Sequence, residues 1–161
     1  MIPRYSTKEM AEVWSEENKY AQWQKVEIAV CQAWQEKHVI PEKAFRDIKE
    51  NAIFSVSRIH EIEATTHHDV IAFVTCLAES VGESGRYIHL GLTSSDVLDT
   101  ASSLLLKESV EILEEALARL MTVLLEKAFA HKNTPCIGRT HGIHAEPMTF
   151  GMKLLNWYDQ L

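Results

Sequence analysis

The feature that most constrains the fold is a stretch from about Asp96 to Lys132 that contains neither glycine nor proline. Leucines recur along it at three- and four-residue steps with charged residues between them, which is the pattern of an amphipathic helix. Such a helix spans ~55 Å at ~1.5 Å per residue and is about three times the average length. It cannot bury its apolar stripe inside a compact ball of 161 residues. We therefore expect a helical bundle that other parts of a longer chain, or other subunits, complete.

The composition fits a mostly helical protein. Only 6 glycines and 4 prolines are present, about half the usual share, so turns are few and long helices are favoured. The hydrophobic share of 46% and the charged share of 24% are those of an ordinary soluble domain. Because the net charge is −7, binding of nucleic acid or of an anionic membrane through overall positive charge is not expected. An anionic ligand would need a local pocket.

Neither a secretory signal nor a membrane span is recognisable in the sequence. No stretch approaches the ~18 consecutive apolar residues of a membrane span. The three cysteines, Cys31, Cys76 and Cys136, are odd in number and far apart, so they fit neither a disulfide framework nor a zinc knuckle. We expect a cytoplasmic protein in which Cys31 and Cys76 are buried as small hydrophobic residues.

Local signals divide the chain into helices. Ser6 and Glu9 have the spacing of a capping box, which predicts a helix start near Thr7. An apolar stripe over residues 70–81 predicts another helix, which ends at Gly82. Further helices are expected to begin at Ser15, Pro41, about Ser57 and Pro147.

The last of these patterns is still running at Leu161, so we expect the sequence to be a fragment. The predicted fold is all-α. It comprises a small N-terminal helical domain over residues 1–95 and the beginning of a long helical bundle over residues 96–161.

Eight of the ten glycines and prolines fall in two windows, residues 82–91 and 135–151. Both windows are dense in hydroxyl, basic and imidazole side chains. Loops between rigid helices commonly carry binding and catalytic residues. The two windows are therefore the first places in which to look for a site.

Three clusters of polar residues could carry chemistry, and each has a simpler structural explanation. In the segment 66–69, Asp69 could cap the following helix while His67 and His68 project into a cleft; simple capping with exposed histidines is the alternative. Thr93 and Ser94 stand where the long helix begins, and the unpaired amides and dipole of a helix start favour an anion. Spare hydroxyls beside a helix cap are the alternative there.

The third cluster comprises Arg139, Thr140 and His141, with His144 close by. A histidine in a tight turn can act as a general acid or base, because imidazole titrates near neutrality. A single histidine in such a turn is more often structural, so this signal alone is weak.

A metal site is a competing interpretation of the same residues. The pair His68-Asp69 between helices is similar to the motif of HD-type metal phosphohydrolases, whose imidazoles and carboxylates hold divalent ions. The fit is poor, since only His60 is available upstream and the distal acid would have to be Asp96 or Asp99. No metal is therefore expected.

Taken together, four segments resemble the fumarase/aspartase superfamily of elimination enzymes and, within it, the adenylosuccinate lyase family. The segment HLGLTSSDVLDTA at 89–101 is similar to the superfamily's first conserved block, and GRTHGIHAEPMTFG at 138–151 is similar to its second. The finer match comes from RYS at 4–6, from TTHHDVIAF at 65–73 and from the histidine-rich second block.

The resemblance implies a β-elimination of fumarate from two small-molecule substrates of purine biosynthesis. Adenylosuccinate would give AMP, and the succinyl-carboxamide ribotide SAICAR would give AICAR. The family's members are homotetramers whose long helices form a central bundle, and the resemblance implies no cofactor, no metal, no nucleic acid and no membrane. A non-catalytic helical assembly module is the alternative for this piece.

The resemblance also assigns roles to residues. His141 corresponds to the general acid, and a further set corresponds to substrate contacts: Arg4, Tyr5, His67, His68, Asp69, Thr93 and Ser94. Arg4 and Tyr5 would meet the nucleotide, and the hydroxyls of Thr93 and Ser94 would meet the succinyl portion. The family's catalytic base is a serine in a loop with a Met-Pro-x-Lys-x-Asn core. That loop is absent from these residues, so the fragment alone is expected to be inactive.

Overall fold

The computed structural model describes residues 2–161, apart from the side chain of Pro3. Helices account for most of the chain, and a single two-stranded antiparallel sheet is present in the described residues. The α-helices are α1 (Lys8–Val13), α2 (Glu16–Glu36), α3 (Glu42–Asn51), α4 (Val56–Thr66), α5 (Asp69–Val81), α6 (Ser94–Ala130) and α7 (Phe150–Asp159). The strands are β1 (Pro135–Thr140) and β2 (Ile143–Thr149), and short 3-10 turns cover Pro3–Tyr5 and Gly82–Tyr87.

The helices expected from the sequence are present, with shifts of one to three residues at their starts. The cap of α1 is Thr7 and not Ser6: its hydroxyl accepts the Met10 amide at 3.3 Å. In the same way Ser55, and not Ser57, caps α4. A side chain can cap only where it reaches an amide two or three residues ahead, and several hydroxyl residues near each start compete for that position. The long stretch forms one helix, α6, of 37 residues.

The second glycine-rich window is the main departure from expectation. Residues 135–149 form a β-hairpin and not an irregular loop, and α7 begins at Phe150 and not at Pro147. Pro147 lies in β2 opposite Ile137. The Thr149 hydroxyl then caps α7 by accepting the Met152 amide at 3.2 Å. The fold class is all-α apart from this hairpin.

Spatial contacts group the described residues into two compact units, one that ends at Ser109 and one that spans Val110–Leu161. The core of the first unit is an aromatic cluster. The Tyr20 ring stacks on Phe73 with centroids 5.6 Å apart, and Trp23 meets both rings edge-on. Burial, together with nearby carboxylates, raises the pKa of Tyr20 to about 12. The cluster joins α2 to α5, the helix that begins at the histidine pair of the candidate site.

The α4–α5 hairpin of the first unit is held by an exposed ion pair as well as by its core. The Arg58 guanidinium donates to both oxygens of Glu79, at 2.8 and 3.0 Å, and also to Glu61. The paired carboxylates raise the pKa of Arg58, and the guanidinium lowers the pKa of Glu79. This bidentate pair links the two helices of the hairpin, and the corner between them carries His67 and His68.

Leu124, Ala128 and Leu154 form the small core of the second unit. Other apolar residues of α6 stay open within the described chain: Leu113 is 59% exposed and Leu120 is 47% exposed. The expectation that the long helix leaves part of its stripe uncovered is therefore confirmed for the described residues. Cys31 and Cys76 are buried as expected, and burial raises the pKa of the Cys31 thiol to about 11. No helix in the described residues is both long and apolar enough to cross a membrane.

Candidate functional site

Arg4 and Tyr5 lie side by side in the N-terminal 3-10 turn. The Arg4 guanidinium donates to the Tyr5 hydroxyl at 3.2 Å and stands 4.9 Å from the centre of its ring. Both side chains are exposed. An arginine with open donors beside an aromatic ring can meet a phosphate and a base.

His67 and His68 form the whole connection between α4 and α5. His67 closes α4 with a left-handed backbone (φ 52°), and its amide donates to the Glu63 carbonyl at 2.8 Å. Because the connection is only two residues long, both imidazoles must lie at the corner of the helical hairpin, where they are exposed.

His68, and not Asp69, caps α5. Its Nδ1 accepts the amide of Ile71 at 3.3 Å, whereas Asp69 is the first helical residue and accepts the Val70 amide at 2.7 Å. Asp69 also lies 3.6 Å from the same Nδ1. The backbone amide can only donate, so the capping geometry requires an unprotonated Nδ1. The neutral His68 ring therefore carries its proton on Nε2, and that N–H remains available to an outside acceptor.

Replacing His68 should separate capping from binding. We expect His68→Ala to lower the stability of the first unit by about 1 kcal/mol, because the Ile71 amide loses its cap. Asparagine is a good cap, so His68→Asn should keep the thermal midpoint while it removes the Nε2 donor. Thermal unfolding of both variants, followed by circular dichroism, tests this. Equal midpoints for the two variants would contradict the capping role.

Thr93 and Ser94 stand at the start of α6, as expected. The Thr93 amide donates to the Asp96 side chain at 2.8 Å, and the Asp96 amide donates back to the Thr93 carbonyl at 3.1 Å. This reciprocal pair of hydrogen bonds fixes the first turn of α6 and uses only backbone groups of Thr93. Within residues 2–161 no hydrogen bond occupies the hydroxyl of either Thr93 or Ser94. Both hydroxyls are thus available to a ligand at the helix start.

The loop before α6 is held by α2, which the sequence did not reveal. Glu27 accepts both the amide and the ring Nδ1–H of His89, and the indole of Trp34 donates to the Leu90 carbonyl at 2.8 Å. The Cys31 thiol points to the Tyr87 carbonyl at 3.8 Å. The sequence did contain a signal that Glu27 is buried. It falls between Val26 and Ile28, and it lies on the same face of α2 as the buried Trp23 and Cys31.

His141 is at the tip of the hairpin in the second unit. It forms a two-residue turn with Gly142, both with positive φ (51° and 73°), between the paired Thr140 and Ile143. Such a turn matches the twist of the two strands. The His141 side chain is exposed, and no hydrogen bond to the described residues holds its ring. His144 lies across the hairpin from Arg139.

Left-handed backbone at non-glycine residues coincides with histidine in this chain. In the described residues it occurs at His38, His67, His89 and His141. Side chains other than glycine rarely adopt this conformation, and it clusters at functional sites. Three of the four histidines lie in the segments described above.

The remaining histidines have structural contacts. His60 pairs with Glu16 at 2.8 Å, and His131 contacts Thr134 and the ring of Phe150. No group of three histidine, cysteine or carboxylate side chains in residues 2–161 lies close enough to hold a metal ion.

The candidate residues of the first unit lie in separate segments of the chain. Three segments contribute: the 3-10 turn with Arg4, the histidine corner and the start of α6. Within the described residues no hydrogen bond or ion pair joins these segments to one another. The hypothesis that they share a role rests on the sequence blocks that they carry.

Comparison with known proteins matches nearly the whole chain to a family of lyases. A family model described as Lyase matches residues 4–161. Over its full length the chain is 51% identical to adenylosuccinate lyase of Aquifex aeolicus, 49% identical to that of Bacillus subtilis and 48% identical to that of Streptococcus mutans. The chain spans only 37–38% of the length of these relatives.

Solved structures agree in fold. A fumarate lyase of a Mesorhizobium species superposes with a TM-score of 0.87 at 28% identity, over 94% of this chain and 37% of that one. A 3-carboxy-cis,cis-muconate lactonizing enzyme of Pseudomonas putida gives 0.87 at 29% identity, over 96% and 37%. These matches favour neither a metal phosphohydrolase nor a non-catalytic assembly module.

Proposed function

Because the chain belongs to the Lyase family, we propose that it is part of an adenylosuccinate lyase, which releases fumarate from adenylosuccinate and from SAICAR. The observation that carries the proposal is the identity, close to one half, that the whole chain shares with three adenylosuccinate lyases. The blocks at 65–73, 89–101 and 138–151 contain a helical corner, a helix start and a hairpin tip, where His67, Thr93 and His141 are exposed.

The reaction makes two chemical demands. First, a proton leaves the carbon next to a carboxylate, so the enediolate-like charge that forms must be stabilised. Second, the bond from the adjacent carbon to the purine amine breaks, so the departing amine must gain a proton. His141 is the proposed general acid for the amine. Its ring at the exposed turn is free of hydrogen bonds from the described residues, so it can exchange a proton with substrate.

The proposed binding residues match the substrate's charges. Arg4 and Tyr5 would hold the nucleotide, with the guanidinium on its phosphate. His68 would donate from Nε2 to a substrate oxygen, because its Nδ1 is occupied by the Ile71 amide. His67 and Asp69 would complete the contacts at this corner.

Thr93 and Ser94 would bind the succinyl carboxylates at the start of α6. Their hydroxyls and the positive end of the helix dipole both favour an anion there. The uncovered leucines of α6 support a homo-oligomer, and we propose a homotetramer that works in the cytoplasm. A boundary between domains near residue 95 is also part of the proposal.

The full-length protein that contains this chain tests the proposal directly. Purified without added metal, it should change the ultraviolet absorbance of adenylosuccinate as AMP and fumarate form, and it should act on SAICAR in the same way. No change, or a change only after a divalent metal is added, would refute it. Release of inorganic phosphate instead of fumarate would point to the phosphohydrolase alternative.

A further inference from the structure

Glu27 is a buried carboxylate that the proposed mechanism leaves unused. It lies in the middle of α2 and is 1% exposed. Burying a carboxylate is costly unless its oxygens are hydrogen-bonded. Here one residue provides both bonds: the ring Nδ1 of His89 is 2.6 Å from Oε1, and the His89 amide is 2.9 Å from Oε2.

Two bonds from one carboxylate determine both the backbone and the ring of His89. The hydrogen bond from the His89 amide to Glu27 holds His89 in its left-handed conformation, with φ at 66°. A carboxylate can only accept, so the ring must carry a proton on Nδ1, and Nε2 is the nitrogen left for another partner. Oriented imidazoles in binding sites are commonly held in this way by a carboxylate behind them.

The same face of α2 holds the next residues of the loop. Trp34, seven residues after Glu27, donates to the Leu90 carbonyl, and its ring packs closely on Gly91, where a β-carbon would lie 3.2 Å from the ring. Only three residues separate His89 from Thr93. Helix α2 therefore holds the loop that leads into the start of α6.

We propose that Glu27 is a positioning residue for the substrate site: through His89 it holds the loop that places Thr93 and Ser94. This inference rests on the proposed function. It explains why a carboxylate stands at this buried position, because glutamine has the same size but only one acceptor for the two donors of His89. A residue that served only to fill space would not need the charge.

The test compares two glutamate-to-glutamine variants of the full-length protein. Glu27→Gln removes one acceptor from the pair facing His89. Glu108→Gln is the matched control, because Glu108 also accepts two hydrogen bonds at α2, from Asn18 at 2.9 Å and Gln22 at 2.8 Å, away from the loop. Glu27 lies in α2, and Glu108 lies in α6 and contacts α2, so each variant loses a partly or fully buried carboxylate that is hydrogen-bonded beside that helix.

We expect Glu27→Gln to lower kcat/KM for adenylosuccinate by about 10- to 100-fold, the usual effect of removing an orienting partner. Amide hydrogen exchange in residues 87–93, followed by mass spectrometry, should become faster. Glu108→Gln should keep kcat/KM within about twofold and leave exchange in that segment unchanged. Glu27→Asp, which keeps two acceptor oxygens, should recover part of the loss.

Equal effects of Glu27→Gln and Glu108→Gln on both kcat/KM and loop exchange would overturn the proposal. If Glu27→Gln does not fold, Glu27→Asp takes its place: faster loop exchange with normal kcat/KM would then overturn it. If the wild-type protein lacks lyase activity, the proposed function fails, whereas the exchange comparison still reports whether Glu27 holds the loop.

Discussion

In the full-length protein, His141→Asn is expected to lower the turnover of adenylosuccinate by about 10²- to 10⁴-fold, the usual contribution of a general acid. Asparagine cannot deliver a proton to the departing amine. It does tolerate the left-handed backbone of the hairpin tip, with φ at 51°, so the turn should be preserved. His141→Ala should lose activity similarly, with added backbone strain. Steady-state kinetics with both substrates, together with a thermal unfolding curve, provide the measurement.

His38→Asn is the matched control for this experiment. His38 is also exposed and left-handed, with φ at 59°, but it lies at the end of α2 outside the proposed site. We expect the His38→Asn variant to turn over adenylosuccinate at the wild-type rate. Near-normal turnover of His141→Asn would remove His141 from the acid role, and a similar loss in His38→Asn would show that the effect is not specific to the site.

Gly151→Ala is expected to destabilise the second unit by about 3 kcal/mol, at the upper end of overpacking effects. A β-carbon there would lie 2.8 Å from the Lys132 Cα and closer still to the carbonyl oxygen of Ala128. These are backbone atoms at the end of α6, so they cannot rotate away, and the first turn of α7 would have to move. Amide exchange in residues 124–158 and thermal unfolding of the full-length protein would report the loss.

Gly142→Asn serves as the comparison for steric effects. No atom lies within 4 Å of the position of a β-carbon at Gly142, and asparagine tolerates its positive φ of 73°. The larger side chain should therefore change stability by less than about 1 kcal/mol. If both variants unfold at the wild-type midpoint, Gly151 is not required for close contact between α7 and the end of α6.

The helices were accessible from local pattern, and the hairpin was not. The apolar stripe over residues 70–81 and its stop at Gly82 correspond to α5, since burial of one face follows directly from a 3.6-residue period. Pro147 has the character of a helix start. It lies in a strand because Ile137, ten residues earlier, pairs with it, and no local signal contains that pairing.

The choice of helix-capping residue shows, over a few residues, the same limit of prediction from local sequence. Aspartate is a preferred cap and histidine is not, so Asp69 was the natural expectation. The structure gives the position to His68, because its Nδ1 reaches the Ile71 amide, and the tautomer of His68 follows from that contact. The identity of the candidate residues was open to sequence analysis, whereas their hydrogen-bonding state was not.

The sequence alone was sufficient for the family, the helical class, the uncovered stripe of the long helix and the segments in which the candidate residues lie. Each of these depends on neighbours within a few turns or on recognisable blocks. The tertiary structure decided which polar groups are already occupied. Glu27 and His89 are 62 residues apart along the chain and share two hydrogen bonds. Which buried carboxylate meets which loop depends on how α2 packs, and packing is a property of the whole fold.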